Sequence, residues 1–102
     1  MQTLRFYHGD SVDLLGGFPA GAVDVIVTSP PYNLGISYRS YDDGGPRDEY
    51  LRWTGEWVKA AARTLAPEGS LFLNVGAKPT DPWTALDVAQ AARPHLQLQN
   101  LI

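Results

Sequence analysis

The most distinctive chemistry in this sequence lies in four consecutive residues, Ser29, Pro30, Pro31 and Tyr32, which follow the run Val23-Asp24-Val25-Ile26-Val27-Thr28. Two adjacent prolines remove two backbone donors and fix φ at both positions, so the carbonyls of Ser29 and Pro30 form a rigid pair of acceptors. Ser29 adds a hydroxyl acceptor and Tyr32 an aromatic face. The set suits a planar ring carrying an exocyclic amino group, which stacks on the tyrosine and donates both N–H bonds. Such an amine is a poor nucleophile because its lone pair is delocalised into the ring. Acceptors aimed at both hydrogens favour a pyramidal nitrogen with a localised lone pair, and the stabilisation grows as charge develops during attack on an electrophilic methyl group. No metal and no strong base is required. The same four residues also make an ordinary turn after a strand, so their setting has to decide between the two.

That setting is an alternation of strands and helices. Leu4, Phe6 and His8 alternate with Thr3, Arg5 and Tyr7, which predicts a short strand ended by Gly9-Asp10, with Ser11 as an N-cap candidate for one or two helical turns over Val12 to Leu15. The β-branched, nearly apolar run from Val23 to Thr28 predicts a buried, parallel strand. Residues Asn33 to Arg47 have no period and read as a long loop. From Asp48 a helical period sets in, with Trp53, Trp57 and Ala61 on one stripe, and Pro67 and Gly69 end it. Ser70 to Val75 predicts a second strand and Gly76 to Pro79 a turn. Asp81 then caps a helix that has Pro82 at its first position and runs to about Ala92, and Leu96, Leu98 and Asn100 to Ile102 begin a third strand. The fold class is α/β, a mainly parallel sheet with flanking helices. Ligands in such sheets sit beyond the carboxyl ends of strands, which points to Gly9-Asp10 and to Thr28 through Asn33.

The segment Asp24 to Gly35, with Thr-Ser-Pro-Pro-Tyr-Asn at its centre, closely resembles the catalytic motif of the DNA amino-methyltransferases that use S-adenosylmethionine. Gly9-Asp10-Ser11 ahead of Leu14-Leu15, Tyr50 to Trp57, and Leu65 to Val75 are similar to the same family in the same order, so the likeness covers nearly the whole chain. The order also resembles the permuted class, in which the catalytic half precedes a target-recognition region and the cofactor half. The resemblance implies a partial Rossmann-like methyltransferase fold, incomplete here, with residues 1–102 as the catalytic half of the domain. It implies Ser29, Pro30, Pro31 and Tyr32 as the catalytic set, and S-adenosyl-L-methionine as cofactor, bordered by Thr28 and Ser29 and, near its adenine, by Asp10. Asp10 also reads simply as an acidic cap on the Ser11 turn. The substrate is then a base flipped out of DNA, since a stacked, paired amino group is out of reach. Asn33, Tyr38 and Arg39 are candidates to hold it, with Tyr41 and Arg47 in the same loop, which reads equally as a solvated loop with incidental aromatics. Serine at the first motif position favours cytosine N4 as the target, with adenine N6 the alternative. Trp53 and Trp57 read as core, His8 and His95 as structural or surface residues without metal-ligand company, and Lys78 as an exposed turn lysine.

Composition sets limits on all of this. A chain of 102 residues, 44% hydrophobic, makes one small domain and no separate substrate domain. Six arginines and two lysines against eleven acidic residues give a net charge of −3, without the basic footprint of a duplex-binding protein. The absence of cysteine excludes disulfides, cysteine nucleophiles and thiolate metal sites, and no metal site is expected. No apolar run or leader pattern marks a membrane protein, and a cytoplasmic location is expected. The Phe-x-Gly-x-Gly segment typical of the family is missing from these residues, which predicts a truncated chain with a gap in its sheet and exposed apolar faces. DNA, the missing half of the enzyme and, in a restriction-modification pair, a restriction endonuclease are the partners that the resemblance implies. A reading of another class is an inactive remnant or assembly module that holds a partner through its open sheet edge.

Overall fold

The computed structural model describes residues 1–33 and 45–102. Helix α1 (Ser11–Gly16) is followed by strand β1 (Val23–Thr28), helix α2 (Arg47–Thr64), strand β2 (Leu65–Leu73) and helix α3 (Thr84–Ala92). The two strands are parallel neighbours, joined through α2, with Val25 opposite Ser70, Ile26 opposite Leu71, Val27 opposite Phe72 and Thr28 opposite Leu73. This is the expected α/β arrangement of a parallel sheet with flanking helices.

Strand alternation divides the sheet into two faces. Ile26, Leu71 and Leu73 pack on the buried stripe of α2 formed by Trp57, Val58 and Ala61, where Trp53, Val12, Leu15 and Leu96 also meet. Val25, Val27 and Phe72 point to the other face, where they are 54%, 76% and 59% exposed. The tryptophans therefore belong to the core, as their four-residue spacing suggests.

Several boundaries differ from the sequence reading, each for a physical reason. Residues 3–8 form no strand: Leu4 and Phe6 are exposed, and no described segment pairs with them. Alternation alone does not hold a strand without a neighbour. The same holds for the third strand expected from Leu96, since Leu98, Leu101 and Ile102 are exposed and outside any sheet. Helix α1 is capped by Asp10, not Ser11, through Asp10 Oδ1 accepting from the N–H of Val12 at 2.9 Å and of Asp13 at 3.4 Å. Strand β2 begins at Leu65, ahead of Pro67 and Gly69, because a bulge absorbs them: Val23 faces Leu65, yet Val25 already faces Ser70. Glycine is favoured at position 69, where a Cβ would stand a tight 3.0 Å from the carbonyl oxygens of both Asp24 and Ala66. Helix α3 begins at Thr84 and has Trp83 at its N-cap without a side-chain cap bond. Asp81 cannot act as its cap, because its carboxylate is engaged by Arg47 and its backbone closes a turn with Lys78. No helix among the described residues is long and apolar enough to cross a membrane.

Candidate functional site

Parallel pairing brings the ends of β1 and β2 side by side, and the Asn74 N–H extends the ladder by one bond to the Thr28 carbonyl at 2.9 Å. Beyond that bond lie Ser29 to Tyr32 on one strand and Asn74 to Gly76 on the other. The half-buried Tyr32 turns its hydroxyl toward both: it lies 2.7 Å from Ser29 Oγ and accepts from Asn74 Nδ2 at 3.1 Å. The tyrosine ring rests on Gly76, where an added Cβ would stand 2.8 Å from Cδ2. Ser29 is exposed, and among the described residues neither its carbonyl nor that of Pro30 accepts an internal hydrogen bond. Among the described residues, then, nothing occupies the pair of rigid acceptors deduced from the two prolines.

The third carbonyl is held from below. Tyr50, buried in the first turn of α2, donates its hydroxyl to the Pro31 carbonyl at 2.5 Å. Asn33, also buried, has φ of +58°, a left-handed conformation that asparagine tolerates better than most residues. Its Nδ2 donates to the Gly45 carbonyl at 2.9 Å and its Oδ1 accepts from Arg47 Nε at 2.8 Å. The rest of the Arg47 guanidinium binds Asp87 Oδ2 at 3.0 Å, Thr84 Oγ1 at 3.1 Å and Asp81 Oδ2. Burial works against the charged guanidinium, but the bonds and charges of the two aspartates outweigh it and raise its pKa above the ordinary arginine value.

An apolar groove of about 390 Å³ runs from Ser11 and Leu14 at the start of α1, past Trp53 and Trp57, to Thr28 and Pro30. The groove therefore reaches from the residue next to Asp10 to the tetrapeptide. Asp10 spends Oδ1 on the helix cap, and its other oxygen has no bond among the described residues. The indole N–H of Trp57 is buried in the groove wall without a partner among the described residues.

Ser29, Pro30, Pro31, Tyr32, Thr28 and Asn33 thus gather at the strand ends, while Asp10 adjoins Ser11, which lines the other end of the groove. Tyr38 and Arg39 lie outside the described residues. Sequence reasoning missed Asn74, Tyr50, Gly76 and the aspartates around Arg47. Asn74 alone had a local signal: a polar residue near the end of a predicted strand sits where α/β sheets place their ligands.

The family described as DNA methylase, of the N6 and N4 methyltransferase type, matches residues 23–102, from the first residue of β1 onward. The chain belongs to this DNA methylase family. Its resemblance to the Type II methyltransferase M.MjaVI of Methanocaldococcus jannaschii is 51% identity over 57 residues, covering 56% of this chain and 29% of that protein. With the Type II methyltransferase M.BglII of Bacillus subtilis it is 40% identical over 72 residues, 71% of this chain and 19% of the relative. The DNA adenine methyltransferase YhdJ of Escherichia coli (strain K12) is 32% identical over 66 residues, 65% of this chain and 22% of that protein. The chain spans less than a third of the length of each of these relatives. The methylase match includes Ser29 to Tyr32, Asn74 and Gly76, whereas Asp10 precedes it.

Proposed function

We propose that this chain carries the catalytic chemistry of an S-adenosylmethionine-dependent DNA amino-methyltransferase acting on cytosine N4. The observation that carries the reading is the convergence of Ser29 Oγ, the Ser29 and Pro30 carbonyls, which accept no bond among the described residues, and the Tyr32 ring beyond the carboxyl ends of two parallel strands. In this reading Tyr32 stacks on the flipped base, while Ser29 and Pro30 accept from the two amino hydrogens. As the amino nitrogen takes the methyl group, the methyl–sulfur bond would break and leave a neutral thioether; the nitrogen becomes cationic, and these acceptors stabilise the developing charge before one N–H proton leaves to water. When bound, S-adenosylmethionine supplies the electrophilic methyl group. The groove between Ser11 and Pro30 supports its accommodation, since about 390 Å³ is within the range of small-molecule sites and Asp10, next in sequence to Ser11, has one carboxylate oxygen without a bond among the described residues. Asp10, Thr28 and Ser29 are the residues that would hold it. Tyr38 and Arg39 are proposed to contact the extruded nucleotide on the strength of their side-chain types.

Completion by further polypeptide, with the target-recognition and glycine-rich cofactor segments, is part of the same proposal. It draws support from the exposed sheet face of Val25, Val27 and Phe72 and from the greater length of the relatives. The Type II names of those relatives support a restriction-modification setting with a restriction endonuclease as counterpart, and a cytoplasmic location goes with it. The printed name of YhdJ favours a second reading, adenine N6. Mass analysis of nucleosides from DNA treated with the intact protein and labelled cofactor separates the two: N4-methylcytosine is expected, N6-methyladenine supports the second reading, and unmodified DNA refutes both.

The cofactor role of Asp10 is separable from its role as a cap. In Asp10→Ser a side-chain oxygen still accepts from the start of α1, so stability stays within about 0.5 kcal/mol, whereas Asp10→Ala loses about 1 kcal/mol. Both variants should bind cofactor roughly tenfold more weakly by calorimetry, the loss of one hydrogen bond to a charged group. Unchanged binding in the serine variant would leave Asp10 a cap only.

A further inference from the structure

Arg47 stands outside the chemistry just described, yet it ties three parts of the molecule together. It is the first residue of α2; Thr84 and Asp87 lie in the first turn of α3; and Asn33 directly follows Tyr32. Nε reaches Asn33, Nη1 reaches Asp87, and Nη2 reaches both Asp81 and Thr84. A planar fork of five donors can satisfy these directions at once, and the three donors of a lysine ammonium cannot. Asn33 is the one non-glycine residue with positive φ among the described residues, so its backbone conformation depends on bonds that hold it there. Those bonds run from its amide to Arg47 and to the Gly45 carbonyl. Tyr32 therefore sits between two fixed points: the Pro31 carbonyl, pinned by Tyr50, and the bend at Asn33, pinned by Arg47.

We infer that Arg47 is a positioning residue for methyl transfer, acting through Asn33 to hold the Tyr32 ring and the Pro31 peptide in the orientation that the flipped base meets; this rests on the function proposed above. Asp81 and Asp87 orient the guanidinium. With both carboxylates on it, the half-buried Arg47 is committed to bonds within the protein and is not a DNA-phosphate contact.

The test is a double-mutant cycle in the intact protein, read as single-turnover methylation together with KM for DNA. Arg47→Lys and Asn33→Ala should each lower kcat at least tenfold with KM for DNA within about threefold. The double variant should fall no further than the worse single one, because both changes break the same link. Additive losses would mean that Arg47 only joins α2 to α3, and would overturn the inference. So would a raised KM for DNA with a salt dependence reduced by about one phosphate contact. Should the Arg47 variants fail to fold, Asn33 decides alone: Asn33→Asp keeps the acceptor for Nε and loses the Nδ2 bond to Gly45, so its kcat should fall at least threefold less than that of Asn33→Ala. Equal activity in these two overturns the inference. Unmodified DNA with the wild-type protein would overturn the proposed function and this inference with it, whereas methylation unaffected by all these variants would overturn the inference alone.

Discussion

Tyr32→Ala should lower the rate of methyl transfer by a factor of about 100 or more while leaving the fold in place. Stacking of a base on an aromatic ring is worth about 1–3 kcal/mol, and each 1.36 kcal/mol is tenfold in rate. A loss that large appears in kcat only if the stack holds the amino group in its attacking position, and the hydroxyl contact with Ser29 suggests why it does. With the ring removed, Ser29 Oγ loses a neighbour at 2.7 Å and its direction is no longer set, so the acceptor fails along with the platform. Tyr32→Phe divides these contributions. It keeps the ring and removes the bonds to Ser29 and Asn74, each worth about 0.5–1.5 kcal/mol, so a loss of about tenfold is expected. Both variants should bind cofactor as the wild type does, and near-ultraviolet circular dichroism should show the tryptophan core intact. An alanine variant that methylates within threefold of the wild type would remove Tyr32 from the catalytic set.

The strand that leads into the proposed catalytic residues was readable in the sequence because its signals are local. A β-branched run fixes the strand, and two prolines end it where parallel pairing has no further use for N–H donors. Helix α2 announces itself by the period of Trp53, Trp57 and Ala61, all of which face the core. The family, too, was visible in the order of several short motifs, and residues 23–102 match it. What stayed hidden depends on partners far along the chain. The Asp81 side chain is suited to capping α3, and locally nothing opposes that; the guanidinium of Arg47, 34 residues earlier, claims it. Asn74 lies near the end of a predicted strand, but its bond to Tyr32 crosses 42 residues and exists only in the paired register. Residues 3–8 carry the alternation of a strand and lack a neighbour to pair with, which alternation cannot reveal. The proposed catalytic set was therefore legible as a list of residues, while the contacts among them were not.

Gly76 turns that distinction into an experiment. An alanine Cβ there would lie 2.8 Å from Tyr32 Cδ2 and 3.0 Å from Cε2, closer than such carbons approach in folded proteins, so the ring must shift. The backbone has no objection, because the φ of Gly76 is outside the left-handed region and alanine restricts the unfolded chain. Gly76→Ala should thus leave thermal stability unchanged or slightly raised while kcat falls by about tenfold, and Gly76→Val, with two more methyl groups against the ring, should lose about 100-fold. Displacements on the order of 1 Å in a reacting geometry have effects of that size. Gly55→Ala is the control: nothing stands within 4 Å of a Cβ at that position of α2, so it should gain up to about 1 kcal/mol of stability with no change in activity. Placed in the Tyr32→Ala background, Gly76→Ala should cost nothing further, since the atoms it displaces are gone. A second independent loss there would show that Gly76 acts on the reaction by some route other than the tyrosine ring.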